Sequence, residues 1–357
     1  MEFKLGELFC GPGGMSLGAV NSNKIKSSNG DYFISHGWAT DYDLNSCQTY
    51  LNNIKGADEN TVIHRNVKDL KINVLPKINC FAYGFPCNDF SLVGEQKGFK
   101  GKYGPLYSYG IKVINYNNPL FFVAENVGGM SSANEGKAFK KILKDLKNSG
   151  KGYNLTVNKY KSEEYGIPQT RHRIIIVGIR SDLGFKFKVP APSRTNPSQY
   201  ITSKQALENP PIPKEAENHE FTKQSKKVIE RLSHILPGEN VWNSNLPAHL
   251  KLNVKGAKLS QIYKRLDPKK PSYTITGSGG GGTHGYHYSE NRALTNRERA
   301  RIQTFPDNYI FKGSKESVRK QIGMAVPPKL SKIIFESVLK SFAGVDYESI
   351  TPNIDSK

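Results

Sequence analysis

Between residue 4 and about residue 180, short apolar runs alternate with longer mixed segments, and this alternation limits the possible folds of the chain. Short apolar runs bounded by turn residues predict strands, and apolar spacing between them predicts helices. Strands joined in this way favour an α/β fold with a mostly parallel, Rossmann-like sheet and helices on both faces. The predicted strands are 4–9, 38–41, 80–83, 121–125 and 174–179, and the predicted helices are 16–20, 44–53, 137–148 and 329–341.

Beyond about residue 187 the sequence becomes rich in Pro, Asn and Lys, and its periodicity weakens. This change predicts a first domain at 1–186, a smaller irregular region at 187–312 and a return to the first domain at 313–357. The chain carries 51 Lys and Arg against 31 Asp and Glu, a net charge of +20. Such an excess favours a polyanionic partner, with nucleic acid as the leading candidate, although many basic proteins bind none.

The cysteines and the apolar runs exclude several classes of protein. Cys10, Cys47, Cys80 and Cys87 all lie in the first quarter of the chain without a pairing pattern, so we expect no disulfide framework. The histidines and cysteines show no zinc-binding spacing, so no metal is expected. No apolar run approaches the roughly 18 residues that a membrane span needs. We therefore expect a soluble protein of the cytosol.

A glycine-rich turn follows the first predicted strand. Gly11, Gly13 and Gly14 come directly after Phe9, and a helix is predicted to begin close behind them. This arrangement lets backbone N–H groups approach a ligand, although a tight turn alone would explain the glycines equally well. Asp41 ends the next predicted strand, where an acid can accept hydrogen bonds from a ribose. Loop and acid together favour a cofactor that contains a nucleoside.

Cys87 follows Pro86 directly after the third predicted strand. Ligand sites of α/β proteins lie at the carboxyl ends of their strands, so a thiolate there could act as a nucleophile. Most cysteines are instead small buried apolar residues. Gly84 before this cysteine and Asn88-Asp89 after it make a core position less suitable, and we favour reactivity.

Two polar motifs accompany later strands. Glu125 ends the fourth predicted strand, where partial burial would let its carboxyl group donate a proton, or where it could simply cap a turn. Gln169, Arg171 and Arg173 lie two residues apart before the fifth. On an extended segment all three would point to one face, towards an anionic or carbonyl-rich substrate, unless they form only an exposed basic edge.

In this order the motifs resemble the DNA (cytosine-5)-methyltransferase family, in its bacterial restriction–modification type. The resemblance rests on Phe-x-Gly-x-Gly-Gly, Pro-Cys, Glu-Asn-Val, Gln-x-Arg-x-Arg, Arg-Glu-x-Ala-Arg (297–301) and Gln-x-Gly (321–323), and covers most of the chain outside about 187–275. It implies transfer of a methyl group from S-adenosyl-L-methionine to C5 of a cytosine flipped out of double-stranded DNA. It also implies Cys87 as the nucleophile on C6, Glu125 at N3, Arg173 near O2 and Arg171 as a group that holds the site together.

The resemblance further implies a cofactor site and a DNA-reading region. Phe9 and Tyr42 would neighbour the adenine, the glycines would admit the methionine end, and Asp41 would hold the ribose. The region after residue 187 would be a target-recognition domain, and the segment 90–104 would close over the flipped base. The remaining implied cofactor residues are Asn66, Val67, Pro86, Met324 and Val326, and the implied DNA-binding residues are Asn88, Ser91, Thr276, Gly279, Gly280 and Gly281.

The sequence departs from the family pattern at four positions. Asn66 stands where an acid is usual, and Met324 replaces the Asn of the Gln-x-Gly-Asn segment. Asn88 follows the nucleophile where Gln is more frequent, and Tyr103 stands where many members carry Arg. None of these changes affects Cys87, Glu125 or Arg173, so activity is still expected.

Three other interpretations stay open on sequence alone. Residues 209–212, Asn-Pro-Pro-Ile, are similar to the signature of methyltransferases acting on exocyclic amines, but Ile212 cannot stack on a base and a loop explains them better. A tRNA cytosine-5 methyltransferase would share the catalytic motifs, although the long middle region favours DNA. A DNA-binding regulator with a retired active site would not need Cys87. A cognate restriction endonuclease and a monomeric state in the bacterial cytosol are default expectations.

Overall fold

The computed structural model describes residues 1–85, 106–127, 136–253, 259–280 and 282–355. The described strands are β1 Glu2–Leu8, β2 Ile25–Ser27, β3 Gly30–Asp41, β4 Val62–His64, β5 Cys80–Gly84, β6 Phe121–Val127, β7 Tyr153–Lys161, β8 Gln169–Thr170, β9 His172–Arg180, β10 Val189–Pro190, β11 Ser272–Tyr273 and β12 Ser349–Ile350. The described helices are α1 Gly14–Val20, α2 Leu44–Asn53, α3 Tyr107–Asn117, α4 Lys137–Lys147, α5 Ser203–Glu208, α6 Lys226–Ser233, α7 Asn296–Ile302, α8 Lys315–Met324 and α9 Pro328–Ala343.

The chain divides into two compact units. The first comprises Met1–Lys161, His172–Pro192 and Pro328–Lys357, and the second comprises Ser162–Arg171 and Ser193–Pro327. Residues 313–327, assigned from sequence to the returning segment, lie in the second unit because α8 packs against α7. The division into functional domains at 186/187 and 312/313 stays a prediction.

The first unit is built on a mixed sheet with the order β2-β3-β1-β5-β6-β9-β7, and β4 pairs with β3 at a branch. The pairs of β1 with β3, β1 with β5, β3 with β4 and β5 with β6 are parallel, whereas β9 is antiparallel to both of its neighbours. The α/β class with a Rossmann-like sheet is confirmed. Because β1, β3, β4, β5 and β6 are parallel, their carboxyl ends share one edge of the sheet.

Helices cover both faces of this sheet, as expected. The adjacent residues Phe121 and Phe122 point to opposite faces of β6. Phe121 packs against Phe335 and Phe342 of α9, and Phe122 packs against Tyr153 within a core that includes residues of α3 and α4. The central strands are therefore buried on both sides, which explains their nearly continuous apolar sequences.

The strand β7 was not predicted, because its sequence YNLTVNKYK contains no continuous apolar run, although its alternation of apolar and polar residues fits a strand. One face carries Tyr153, Leu155 and Val157 into the core. On the other face Asn154 and Thr156 donate to the carbonyls of Phe185 and Phe187, at 3.3 and 2.8 Å. These hydrogen bonds satisfy the polar side chains within the protein, so their polarity does not mark a surface.

The second unit contains little regular structure besides α5, α6, α7 and α8, in agreement with its weak periodicity. The strand β11 comprises only Ser272 and Tyr273 and pairs in parallel with β8. Its continuation is diverted because the N–H of Ile275 donates to Oε1 of Gln169 at 2.8 Å instead of to a neighbouring strand. No helix in the described parts of the chain is long and apolar enough to cross a membrane.

Candidate active site

The glycine-rich turn lies at the carboxyl edge of the sheet, between β1 and α1. Gly11 and Gly13 have φ angles of +52° and +89°, a left-handed conformation that costs glycine little. A Cβ atom at Gly11 would meet no other atom within 4 Å, so the turn faces open space. Phe9 also has a positive φ, 55°, and packs against the core of the sheet. The backbone is thus open to a ligand at this turn.

Asp41, at the end of β3, is tied to this turn. Its Oδ2 accepts the N–H of Gly11 and its Oδ1 the N–H of Asp43, both at 2.9 Å. Burial raises the pKa of Asp41, and these two N–H groups oppose that shift. A carboxylate can accept about four hydrogen bonds, so both oxygens retain capacity for two ribose hydroxyls. Turn and acid therefore fit a nucleoside cofactor.

Three further residues predicted to contact the cofactor follow strands of the same sheet: Tyr42 follows β3, and Asn66 and Val67 follow β4. Asn66 follows β4, and its Oδ1 caps a 3-10 turn by accepting the N–H of Lys68 at 3.0 Å. Val67 is buried, and Tyr42 is 60% exposed next to Asp41. Met324 and Val326 belong to the second unit, where Met324 is 62% exposed and Val326 is buried. Their contacts with a cofactor stay predictions.

A buried acid beneath the turn was not singled out from the sequence. Glu7 is 1% exposed, accepts the hydroxyl of Ser16 and lies in a chain in which Tyr50 donates to Ser16 at 2.7 Å. Burial raises the pKa of Glu7 to about 8, with a smaller contribution from Asp41. The signal in the sequence was an acid between the apolar residues Leu5 and Leu8, close before the glycines.

Glu125 and Arg173 form an ion pair on the same edge of the sheet. Nε of Arg173 lies 2.8 Å from Oε1 of Glu125, and both side chains are 13% exposed. Glu125 lies opposite Gly84 in the β5–β6 ladder, and a Cβ at Gly84 would come within 3.3 Å of its Oε2. Glycine at position 84 therefore leaves the carboxylate room beside the end of β5.

Asn126 fixes the chain where β5 ends. Its side-chain amide donates to the carbonyl of Phe85 at 3.0 Å, while its Oδ1 accepts the N–H of Val127 at 2.8 Å. The motif Glu125-Asn126 was predicted as a site element, but only the acid was given a role. The structure adds that the amide holds the backbone of Phe85, two residues before Cys87 in the sequence.

Several predicted residues lie outside the described parts of the chain. They are Pro86, Cys87, Asn88, Ser91, Tyr103, the segment 90–104 and Gly281. Thr276, Gly279 and Gly280 are described and lie in the second unit, where Thr276 and Ser278 join their hydroxyls at 3.1 Å and Gly280 has a φ of +147°.

The expectation that Gln169, Arg171 and Arg173 aim together at a substrate is wrong for the first two. Arg171 is 2% exposed, and its guanidinium donates to the carbonyls of Ile275, Gly323 and Ala325 at 2.9 to 3.0 Å. The amide of Gln169 donates to Gln303 at 2.9 Å. Both side chains are turned inward, and these hydrogen bonds provide the partners that buried polar groups need. Only Arg173 pairs with the acid.

The fold and these clusters define an α/β enzyme with a nucleoside-cofactor turn and an arginine–carboxylate pair on one sheet edge. Residues 3–340 match the model of the C-5 cytosine-specific DNA methylase family. The chain belongs to this family, and it is a DNA (cytosine-5)-methyltransferase with S-adenosyl-L-methionine as methyl donor. The suspected resemblance is thereby confirmed, and the exocyclic-amine interpretation is excluded.

Individual relatives agree with this assignment. The chain is 56% identical to the Type II methyltransferase M.BbvI of Brevibacillus brevis, over 99% of this chain and 96% of the relative. It is 38% identical to the Type II methyltransferase M.NgoFVII of Neisseria gonorrhoeae, over 97% and 89%. A solved structure described as a DNA modification methyltransferase encoded within an E. coli prophage matches with a TM-score of 0.71 at 22% identity, over 94% of this chain and 98% of that one, and supports the fold.

Proposed function

We propose that the protein methylates cytosine within one short DNA sequence through a covalent bond between Cys87 and C6 of the base. The observation that carries this proposal is the ion pair of Glu125 and Arg173. Glu125 lies opposite Gly84 in the sheet, and Gly84 precedes Cys87 by three residues in the sequence. Asn126 anchors the backbone of Phe85 beside this pair. A nucleophile that follows directly would share the sheet edge with an acid and a cation.

The other cysteines support this choice of nucleophile. Cys10, Cys47 and Cys80 are buried free thiols. Burial raises the pKa of Cys47 to about 12 and those of Cys10 and Cys80 well above their usual value. Because the thiolate is the nucleophilic form, these three are inert at neutral pH. Cys87 is left as the candidate.

The chemistry assigns a task to each group. C5 of cytosine is a weak nucleophile, because the pyrimidine ring is electron-poor. Addition of the Cys87 thiolate to C6 moves the C5–C6 π electrons onto C5 and the ring, and Glu125 at N3 stabilises the resulting enamine. Arg173 near O2 holds both the base and the carboxylate. When bound, S-adenosyl-L-methionine supplies the electrophilic methyl group. Loss of the C5 proton to a base then restores the C5–C6 double bond as the thiolate leaves.

We assign the proposed cofactor-binding and DNA-binding residues to each of the two units in turn. In the first unit we assign the cofactor to Phe9, the glycine-rich turn, Asp41, Tyr42, Asn66 and Val67, joined by Pro86. Met324 and Val326 of the second unit complete this proposed set. In the second unit we assign DNA contacts to Thr276, Gly279, Gly280 and Gly281, and we also propose Asn88 and Ser91 as DNA-binding residues. The target cytosine must leave the base stack, at a cost of a few kcal/mol.

Arg171 acts in this scheme as a positioning residue, because its guanidinium binds three backbone carbonyls of the second unit. The Type II names of the relatives support a further proposal, that methylation protects the host genome from a cognate restriction endonuclease. We also propose that the protein acts as a monomer in the bacterial cytosol.

The test is bisulfite sequencing of DNA from a methylation-free host that expresses the wild-type chain, Cys87→Ser or Cys80→Ala. Wild type and Cys80→Ala should protect cytosine in one recurrent context, and Cys87→Ser should protect none. Protection by Cys87→Ser would exclude this nucleophile. If the soluble wild type protects no cytosine, the proposed DNA site fails and RNA becomes the next substrate to examine.

A second experiment examines the covalent step itself. A duplex with 5-fluorocytosine at the target should trap the protein, because fluorine cannot leave C5 as a cation after methylation. The trapped complex should appear as a single mass shift that Cys87→Ser lacks. Turnover of the target cytosine without any trapped complex would contradict the covalent mechanism.

A further inference from the structure

A basic pocket lies within the second unit, between the loop after the glycine run, the start of α7 and α8. The pocket opens to solvent. Among the described residues, the positively charged residues that line the pocket are Arg299, Arg319 and Lys315. One carboxylate, that of the exposed Glu220, also lines it, together with His284. The pocket therefore has a surplus of positive charge.

Arg299 is the most unusual member of this lining. It is 3% exposed, yet its guanidinium donates only to the carbonyl of His284 among the hydrogen bonds of the described residues. Its Nε is buried without a hydrogen-bond partner. Burial lowers the pKa of Arg299 to about 10, with a further contribution from Arg319. A buried guanidinium with an unused donor is costly unless an anion binds it.

Arg319 repeats this pattern from α8. Its two terminal nitrogens lie 3.4 Å from Nδ1 of His284 and 3.4 Å from the carbonyl of Gly279, both at the limit of hydrogen bonding. Its Nε is also buried without a partner. Burial lowers the pKa of His284, so this ring is neutral at physiological pH and does not compete for an anion.

Among the described residues, the acid nearest in sequence acts on Arg299 through its charge but forms no hydrogen bond with either arginine. Glu298 accepts two hydrogen bonds from Arg292, at 2.7 and 2.9 Å, and the N–H of Thr295 at 2.8 Å. Arg292 is in turn bound to Glu290. The hydrogen bonds of these acids go mainly to Arg292, so within the described parts of the chain Nε of Arg299 and Nε of Arg319 keep no hydrogen-bond partner.

We infer that this pocket binds a phosphate oxyanion through Arg299 and Arg319, and that its source is a backbone phosphate of the substrate DNA. The inference rests on the proposed function and names one subsite of its DNA-binding surface. Guanidinium groups with free N–H donors suit phosphate oxygens, which accept several charge-assisted hydrogen bonds at once. Such contacts fix the position of a duplex without reading its bases.

One observation favours DNA over a free anion. Arg319 lies against Gly279 so closely that a Cβ atom there would overlap its guanidinium. The pocket is thus continuous with the glycine run to which we assign DNA contacts. Arg299 occupies the variable position of Arg-Glu-x-Ala-Arg, residues 297–301.

Salt dependence of DNA binding tests the inference. Wild type, Arg299→Met, Arg319→Gln and the exposed-lysine control Lys55→Gln are compared by fluorescence anisotropy on one labelled duplex, from 50 to 300 mM NaCl. One lost phosphate contact should reduce the slope of log K against log salt by about 0.9, which corresponds to about eightfold weaker binding at 0.1 M salt. Both arginine variants should show this loss, and Lys55→Gln should keep the wild-type slope.

Thermal unfolding separates binding from a merely structural role. In chloride buffer Arg299→Met should be at least as stable as wild type, since it removes a poorly paired buried charge. Inorganic phosphate at constant ionic strength should raise the Tm of wild type and not that of Arg299→Met. If Arg299→Met does not fold, Arg319→Gln carries the same slope and phosphate tests.

Three results would overturn the inference. Unchanged slopes in both variants, while wild type methylates DNA, would remove the subsite and leave the proposed function intact. Stabilisation by phosphate with unchanged slopes would assign the pocket to a free oxyanion instead of DNA. Loss of Tm in Arg299→Met with a wild-type slope would make the arginine structural. A wild type that methylates no DNA would instead count against the proposed function.

Discussion

Glu7 is a carboxyl group that keeps its proton in the folded protein at neutral pH. Burial raises its pKa to about 8, whereas the ordinary value of 4.5 applies after unfolding. The folded state therefore binds a proton that the unfolded state has lost between these two values. The stability from this group is complete below about pH 4.5 and disappears as the pH rises through 8.

The variant Glu7→Gln should remove this dependence. Between pH 6 and pH 8 the wild-type free energy of unfolding should fall by on the order of 2 kcal/mol through Glu7 alone. The glutamine variant should lack that part of the decline, because it stays neutral and can still accept the Ser16 hydroxyl. Denaturant unfolding at a series of pH values measures it. Parallel curves for both proteins would show that Glu7 does not titrate in this range.

Arg171 and Arg173 are two residues apart but should fail in different ways. Arg171→Met would leave three buried carbonyls without a donor, at a cost of about 3 kcal/mol or more. Arg173→Met should change stability less and lower kcat about 10²- to 10³-fold, since Arg173 pairs with Glu125. Thermal unfolding beside single-turnover methylation distinguishes the two. A stable Arg171→Met with the larger loss of kcat would reverse these roles.

The sequence predicted the positions of the two acids at strand ends better than the contacts that support them. Phe9, Asp41 and Glu125 could be placed because each follows an apolar strand, and strand ends of a parallel sheet meet at one edge. Glu7 was missed because its burial depends on packing around it. The inward turn of Arg171 depends on Ile275, more than 100 residues away, and no local pattern reports such a contact.

The helices α1 and α9 meet at Gly18. A Cβ atom there would lie 2.5 Å from the backbone N–H nitrogen of Lys332 and 2.5 Å from the carbonyl oxygen of Pro328. Backbone atoms cannot move aside as flexible side chains do, so glycine is required for this contact. Ser331 of α9 also donates to the carbonyl of Met15 at 2.7 Å, which holds the two helices together.

Gly18→Ala should therefore destabilise the protein even though alanine favours a helix by about 1 kcal/mol. Overpacking of a well-packed contact costs about 1–3 kcal/mol, and here it involves main-chain atoms. The measurement is the midpoint of denaturant unfolding, with Ser331→Ala as a variant of the same contact that adds no volume. A Gly18→Ala protein as stable as wild type would mean that the helices can separate without cost.

Among the strands, β9 was predicted and β7 was missed, although the alternating sequence of β7 fits a strand that is buried on one face. The run Ile174–Ile179 is apolar because both faces of β9 are covered, so its composition alone indicates a central strand. In β7 the polar residues Asn154 and Thr156 are satisfied by a neighbouring segment of chain. Hydrogen bonds of this kind make a buried strand look exposed in sequence.

The cofactor site should be visible in the stability of the complete chain. The product S-adenosyl-L-homocysteine, at about 100 times its Kd, should stabilise the folded protein by about 2.7 kcal/mol and raise its Tm. Asp41→Asn should lose most of this shift, because an amide presents N–H groups where the carboxylate accepts them. Asp69→Asn, an exposed acid on the turn after Asn66, should retain the shift. Equal shifts in both variants would exclude Asp41 from cofactor binding.

The second unit is assembled from two stretches of chain, since Ser162–Arg171 joins Ser193–Pro327 across the intervening strand β9. Gln169 and Arg171 bind that longer stretch largely through main-chain groups, at Ile275, Gly323 and Ala325. A hydrogen bond to a peptide group does not depend on the side chain that the residue carries. Recombination between relatives could therefore exchange the longer stretch as one piece, provided that the backbone path at those three residues is retained.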